Sequence, residues 1–202
     1  MQFNNKYKFS VDWFSYNIPI WTQALLHFKN KPNLNFLEIG SFQGRSSVWL
    51  LENILTDKTS KITCIDTFEG SIEHNIEPQF QLLLPSLYDT FIHNTSYFPN
   101  QVFPIKGKSQ MILKKLEENF YDFIYIDGDH HASSVLEDAV LSFSLLKKNG
   151  IIIFDDYTWG EEFINNRINL HVPKSAINVF LQIYADKIKI IHVDNQVIIE
   201  KL

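Results

Sequence analysis

Short, mostly apolar runs recur along this chain at residues 36–39, 62–65, 102–105, 123–126, 151–154, 188–191 and 197–199. Runs this short suit strands covered on both faces, and between them lie segments whose apolar residues repeat every three or four positions, the period of an amphipathic helix. Parallel strands need a long crossover, so the alternation predicts a parallel sheet wrapped by helices. Crossover helices are expected over 46–55, 109–119 and 133–148, the last stopped by Asn149-Gly150. The final pair of runs is joined only by Val193-Asp194-Asn195-Gln196, too few residues for a crossover. A hairpin follows, and with it an antiparallel last strand. The expected fold class is therefore α/β, a three-layer, doubly wound, seven-stranded and mostly parallel sheet.

At 202 residues the chain fits one domain. Residues 1–34, with Trp13, Trp21 and Leu25-Leu26, predict one or two helices covering a core at 35–202. Residues 69–100, with Pro78, Pro85 and Pro99, are the least regular, a mobile cover or a helical insertion. Basic side chains number 18 against 23 acidic, and no basic tract can neutralise a run of phosphates, which argues against nucleic acid as partner. The single cysteine, Cys64, lies in an apolar run and reads as a reduced core residue. Neither a signal-like apolar start nor an 18-residue apolar stretch is found, so a cytoplasmic protein without a membrane partner is expected. Self-association is left open.

Ligands of open parallel sheets sit beyond the carboxyl ends of the strands. There the first run is followed by Gly40-Ser41-Phe42-Gln43-Gly44, whose two glycines allow a tight turn and close approach of a ligand. A nicotinamide dinucleotide asks for Gly-x-Gly-x-x-Gly, whereas this turn has Gly-x-x-x-Gly preceded by the acid Glu38, a pattern for a ligand with an amino group. Asp66 ends the second run, 26 residues after Gly40, where a carboxylate can take both ribose hydroxyls or merely cap a turn. Gly107-Lys108-Ser109 follows the third run and can close over an adenine ring, with Ser109 equally readable as only a helix N-cap.

The fourth run delivers Asp127-Gly128-Asp129-His130-His131 and the fifth Asp155-Asp156, at the same edge. Carboxylates gathered on neighbouring strand ends repel one another, so a divalent cation is physically expected, and oxygen ligands suit magnesium, manganese or calcium. Without a metal, Asp155 and Asp156 would cap the segment from Tyr157, and Asp127 would anchor the turn at Gly128. His131 reads as a solvated or capping residue, Glu137-Asp138 as a solvated helix face, and Lys147-Lys148 as complements to a helix dipole.

Together, Glu38 to Ser47, Cys64-Ile65-Asp66-Thr67-Phe68, Tyr125 to His130 and Ile153-Phe154-Asp155-Asp156-Tyr157 resemble class I S-adenosylmethionine-dependent methyltransferases. Within that class the chain resembles the small bacterial-type group related to macrolide, aminocoumarin and sugar O-methyltransferases. The resemblance implies the methyltransferase variant of the Rossmann-like fold and S-adenosyl-L-methionine as cofactor. By it, Glu38, Gly40, Ser41 and Gly44 hold the cofactor's amino acid part, Asp66 with Thr67 its ribose, and Gly107 and Ser109 lie near its adenine, with Asp127 also beside the cofactor. Asp127, Asp155 and Asp156 match the positions that bind Mg2+ or another divalent cation in such enzymes. The acceptor would be a small molecule, a sugar or hydroxylated metabolite, and His130 or Asp129 would remove its hydroxyl proton. The alternatives are a metal-independent N- or carboxyl-methyltransferase and a catalytically silent cofactor-binding module.

Overall fold

The structure, a computed structural model, describes residues 6–71, 78–160 and 172–202. Its strands are Asn35–Ile39 (β1), Lys61–Asp66 (β2), Val102–Lys106 (β3), Tyr121–Ile126 (β4), Leu146–Phe154 (β5), Ile188–Val193 (β6) and Val197–Lys201 (β7). They form one sheet in the order β3-β2-β1-β4-β5-β7-β6. β1 to β5 are parallel, while β7 runs antiparallel to both β5 and β6, as the short final connection requires. Chain order reverses between β1 and β4, so the crevice at their carboxyl ends is where a ligand of such a sheet binds.

Alternation along each strand feeds two apolar layers. Phe36, Cys64, Phe123 and Ile153 point to one, and Leu37, Ile65, Ile124 and Ile152 to the other. Helix α1 (Ile18–Ala24), with short 3-10 turns on either side, and α2 (Arg45–Asn53) cover the first face. The stretch of prolines contributes α3 (Pro78–Gln81) and α4 (Leu87–Thr95), and Phe91 of α4 joins the same core. The second face is covered by α5 (Ser109–Leu113), α6 (Ala132–Leu145) and α7 (Pro173–Ile183) through Leu113, Ala139, Ile177 and Phe180. Trp21 is fully buried and meets Phe14 and Tyr125 edge-on, with ring centroids 4.9 and 4.7 Å away.

The third crossover differs from its expectation. α6 stops at Leu145, because Leu146 already pairs with Tyr121 and begins β5. Asn149-Gly150 is a kink inside that strand rather than a helix stop: Asn149 has φ +61°, and the register slips before Ile151 meets Phe123. Lys147 accordingly donates to both Asp122 oxygens, at 2.8 and 2.9 Å, instead of facing a helix end. The helix expected over 109–119 closes after Leu113.

Candidate active site

The turn after β1 is built by its glycines. Gly40, at φ +85°, donates its N–H to the Ile65 carbonyl at 2.9 Å, and a Cβ there would stand 1.7 Å from the Asp127 carbonyl oxygen. The glycine is thus what lets the turn lie against the end of β4. Gly44, at φ +78°, starts α2. Glu38 lies on the α2 face of β1, fully buried, and accepts from the Ser46 hydroxyl at 2.5 Å and from the Ser47 hydroxyl. Burial pushes its carboxyl above the usual range, and the serine hydroxyls pull it back.

Asp66 draws the neighbouring loops together. Its two oxygens accept from the Phe42 and Phe68 N–H groups, each at 2.7 Å, and its carbonyl accepts from Gly107 at 2.9 Å. The Gly40 turn, Thr67 and the Gly107 turn therefore share one rim. A cleft opens beside it, walled by Val11, Trp13 and Phe14 of the N-terminal segment and reaching Ser41, Tyr125 and Asp127. The N-terminal wall is stitched down by side chains of the turn and α2: Gln43 accepts from the Ser10 N–H at 2.7 Å, and the Arg45 guanidinium donates to the Val11 carbonyl at 3.1 Å.

The acidic cluster stands on the ends of β4 and β5. One ligand-type atom each from Asp127, His130 and Asp156 lies within 4.8 Å of the others. His130 Nε2 is 2.8 Å from Asp156 Oδ2, and its ring packs on Trp159 with centroids 4.5 Å apart. Asp155 is turned inward, where Oδ1 accepts from the Asp156 N–H at 2.8 Å and Oδ2 from Gln196 Nε2 at 2.9 Å and from the Tyr125 hydroxyl. Asp129 is drawn away from the cluster, accepting from the Ser134 hydroxyl at 2.8 Å, with His131 Nδ1 at 2.7 Å, at the start of α6. His131 occupies the N-cap position of α6 without a side-chain capping bond, its exposed ring facing Asp129.

Charge in the cluster is under-compensated. Tyr125 has one proton, yet its oxygen stands 2.9 Å from Asp127 Oδ2 and in contact with Asp155 Oδ2. Burial first and then the neighbouring carboxylates push Asp127 well above the usual range, and burial with Asp156 pushes Asp155 up to about 6. A hard cation among these oxygens would relieve the repulsion.

The supporting roles of three residues leave no local signal in the sequence. Trp21 Nε1 donates to Gln196 Oε1 at 2.7 Å, which fixes the amide so that its nitrogen faces Asp155. Gln196 and Tyr125 are both buried. The fourth missed residue, Asp138, is only 1% exposed, contrary to the solvated face expected of it. It accepts from the Ser109 hydroxyl at 2.9 Å and from Gln110 Nε2 at 3.0 Å, and burial pushes its carboxyl up to about 7. Its position three residues after Val135 and one before Ala139, on the buried stripe of α6, was the available signal. Ser109 is the first residue of α5 rather than its N-cap, which is Lys108. Of the two histidines in the irregular segment, His93 Nε2 lies 3.3 Å from the Lys6 carbonyl, and His74 falls outside the described residues.

A family model for a methyltransferase domain matches residues 37–157, the span that carries every strand end just described. Among curated proteins, "Uncharacterized protein R132" of Acanthamoeba polyphaga mimivirus is 30% identical over 129 residues, 63% of this chain. The match takes in 53% of that relative, so the chain spans about half its length. Among solved structures, the O-methyltransferase of Bacillus cereus in complex with SAH is similar with a TM-score of 0.67 and 16% identity, over 96% of this chain and 84% of that one. MycE methyltransferase of the mycinamycin biosynthetic pathway, in complex with Mg, SAH and mycinamycin VI, is similar with a TM-score of 0.60 and 14% identity, over 95% and 50%.

Proposed function

This chain belongs to the methyltransferase-domain family, and from that premise we propose that it moves the methyl group of S-adenosyl-L-methionine to a hydroxyl of a small molecule, a sugar or hydroxylated metabolite, with a divalent cation such as Mg2+ bound. One observation carries the reading: Asp127, His130 and Asp156 gather within ligand distance of one another, and Asp127 also lines the cleft beside the Gly40 turn. The residues fit both groups. The cleft borders the Gly40 turn, and the oxygen-rich cluster matches a hard cation. The names of the similar structures, one with SAH and one with Mg and SAH, support the same pairing.

When bound, the cofactor supplies an electrophilic methyl group, and the cation lowers the acceptor hydroxyl's pKa. The chain's residues do the rest. The Gly40 to Gly44 turn and Ser41 hold the amino acid part, over a Glu38 that anchors α2 from below. Asp66, with Thr67 beside it, holds the ribose, and the Gly107 and Ser109 turn faces the adenine. Asp127 and Asp156 present oxygens to the cation, while Asp155, fixed by Tyr125, Gln196 and Trp21, backs them. His130 takes the acceptor's proton, and Asp156 stabilises the imidazolium that results. Trp13 and Trp159, partly exposed at either side, line the acceptor's approach.

The base assignment separates His130 from Asp129. His130→Ala is expected to lower kcat by about 10²–10⁴-fold with SAH affinity kept, whereas Asp129→Ala, which loses only contacts at the start of α6, stays within about fivefold. Because His130 also sits within ligand distance of the cluster, Mn2+ binding followed by electron paramagnetic resonance accompanies the kinetics. Retained Mn2+ affinity supports the base, and lost affinity makes His130 a ligand instead. An unchanged kcat removes it from the mechanism.

A further inference from the structure

Asp127, Asp155 and Asp156 follow the ends of β4 and β5, yet one of the three is held out of the cluster. Among the described residues, the ligand-type atoms within 4.8 Å of one another come from Asp127, His130 and Asp156 and not from Asp155, although Asp155 borders the same cavity. What holds it matters only where a cation binds, so the inference rests on the cation reading above. The holder is Gln196, buried in the turn before β7. An indole N–H can only donate, so the atom 2.7 Å from Trp21 Nε1 is the amide oxygen, which leaves the NH2 facing Asp155 Oδ2 at 2.9 Å. Turning the amide over would set donor against donor at Trp21 and acceptor against acceptor at Asp155. The orientation is therefore fixed from α1.

Tyr125 has one proton to divide between Asp127 and Asp155, whereas Gln196 brings Asp155 a donor of its own. The other oxygen, Asp155 Oδ1, accepts from the Asp156 N–H at 2.8 Å and closes a turn with Asp156 at φ +57°, a region that aspartate tolerates. That turn carries Asp156 Oδ2 to 2.8 Å from His130 Nε2. Both oxygens of Asp155 are thus occupied by donors, while Asp156 is presented to the cluster. The number of charged ligands sets how tightly a hard cation is held, and each further carboxylate takes a position that water or a substrate oxygen could fill. We propose that Gln196 is a positioning residue that sets how many carboxylates the cation receives: fastened by Trp21, it keeps Asp155 off the ion and leaves a position open for the acceptor hydroxyl.

The test uses Mn2+ as the probe, its affinity read by electron paramagnetic resonance and its exchangeable waters by proton relaxation. Gln196→Met keeps the length of the side chain and removes the donor, which releases Asp155 to the cation. Mn2+ should then bind about tenfold tighter than to the wild-type chain and lose about one exchangeable water. If that variant does not fold, Trp21→Phe, which removes the N–H that fastens Gln196, should show the same two changes and decides the matter. Equal or weaker Mn2+ binding in the folded variant, with its waters kept, overturns the proposal, because a residue that only supports the turn can loosen the site but not tighten it. No Mn2+ binding to the wild-type chain, while S-adenosyl-L-homocysteine still binds, overturns the cation reading itself, and this inference with it.

Discussion

Asp127→Asn is expected to lower turnover by about 10³-fold while leaving S-adenosyl-L-homocysteine affinity within a few-fold, and a chelator acting on the wild-type chain should reproduce the loss. A thousandfold corresponds to about 4 kcal/mol of transition-state stabilisation, a reasonable share for a cation that acidifies and orients the acceptor hydroxyl. Asparagine keeps the shape beside Tyr125 and removes the charge. The sign of the pH effect follows from the site. Asp127 and Asp155 both titrate above ordinary carboxylates, so protons compete with the cation from higher pH than usual, and Mn2+ affinity should weaken as pH falls through about 6. Assaying S-adenosyl-L-homocysteine formation with and without chelator checks this. Full activity in chelator, together with undiminished turnover in Asp127→Asn, would show that the carboxylates serve the turns alone.

Gly40→Ala should be the most damaging small substitution in the chain, at about 4 kcal/mol or more of folding stability. The added carbon would stand 1.7 Å from a main-chain oxygen of Asp127, where no side-chain rotation can relieve it, and φ +85° is itself unfavourable for alanine. Gly44→Ala is the control. Its Cβ meets the Phe91 ring at 3.0 Å, a side chain that can shift, so about 1–2 kcal/mol is expected. Urea denaturation of both variants measures the difference. Equal midpoints would mean that the turn does not lie against β4 as described.

The seven strands were legible because each is a short apolar run set off by helical periodicity, and β7 declared its direction through the brevity of residues 194–196. The end of α6 was not. Leu146, Lys147 and Lys148 continue a helical pattern, and only pairing with Tyr121 and Asp122, which are distant in sequence, pulls them into β5. The carboxylates at the strand ends were legible as well, since strand ends share an edge. What each does there was less so. Asp155 looks equivalent to Asp127 and Asp156 in the sequence, and Asp129 shares the base role with His130 there; partners such as Gln196 and Ser134 set them apart. Trp21 meets Gln196 across 175 residues, and Gln196 meets Asp155 across 41. Such pairs leave no local spacing to read, and Trp21 would pass for ordinary core.

The crevice between the Gly40 turn and Asp66 is proposed to hold S-adenosyl-L-methionine. Calorimetric titration of the wild-type chain with S-adenosyl-L-homocysteine and, separately, with NAD tests it most directly. Micromolar binding of the first, abolished in Gly40→Ala, and none of the second are expected. Binding of NAD with no response to S-adenosyl-L-homocysteine would contradict it.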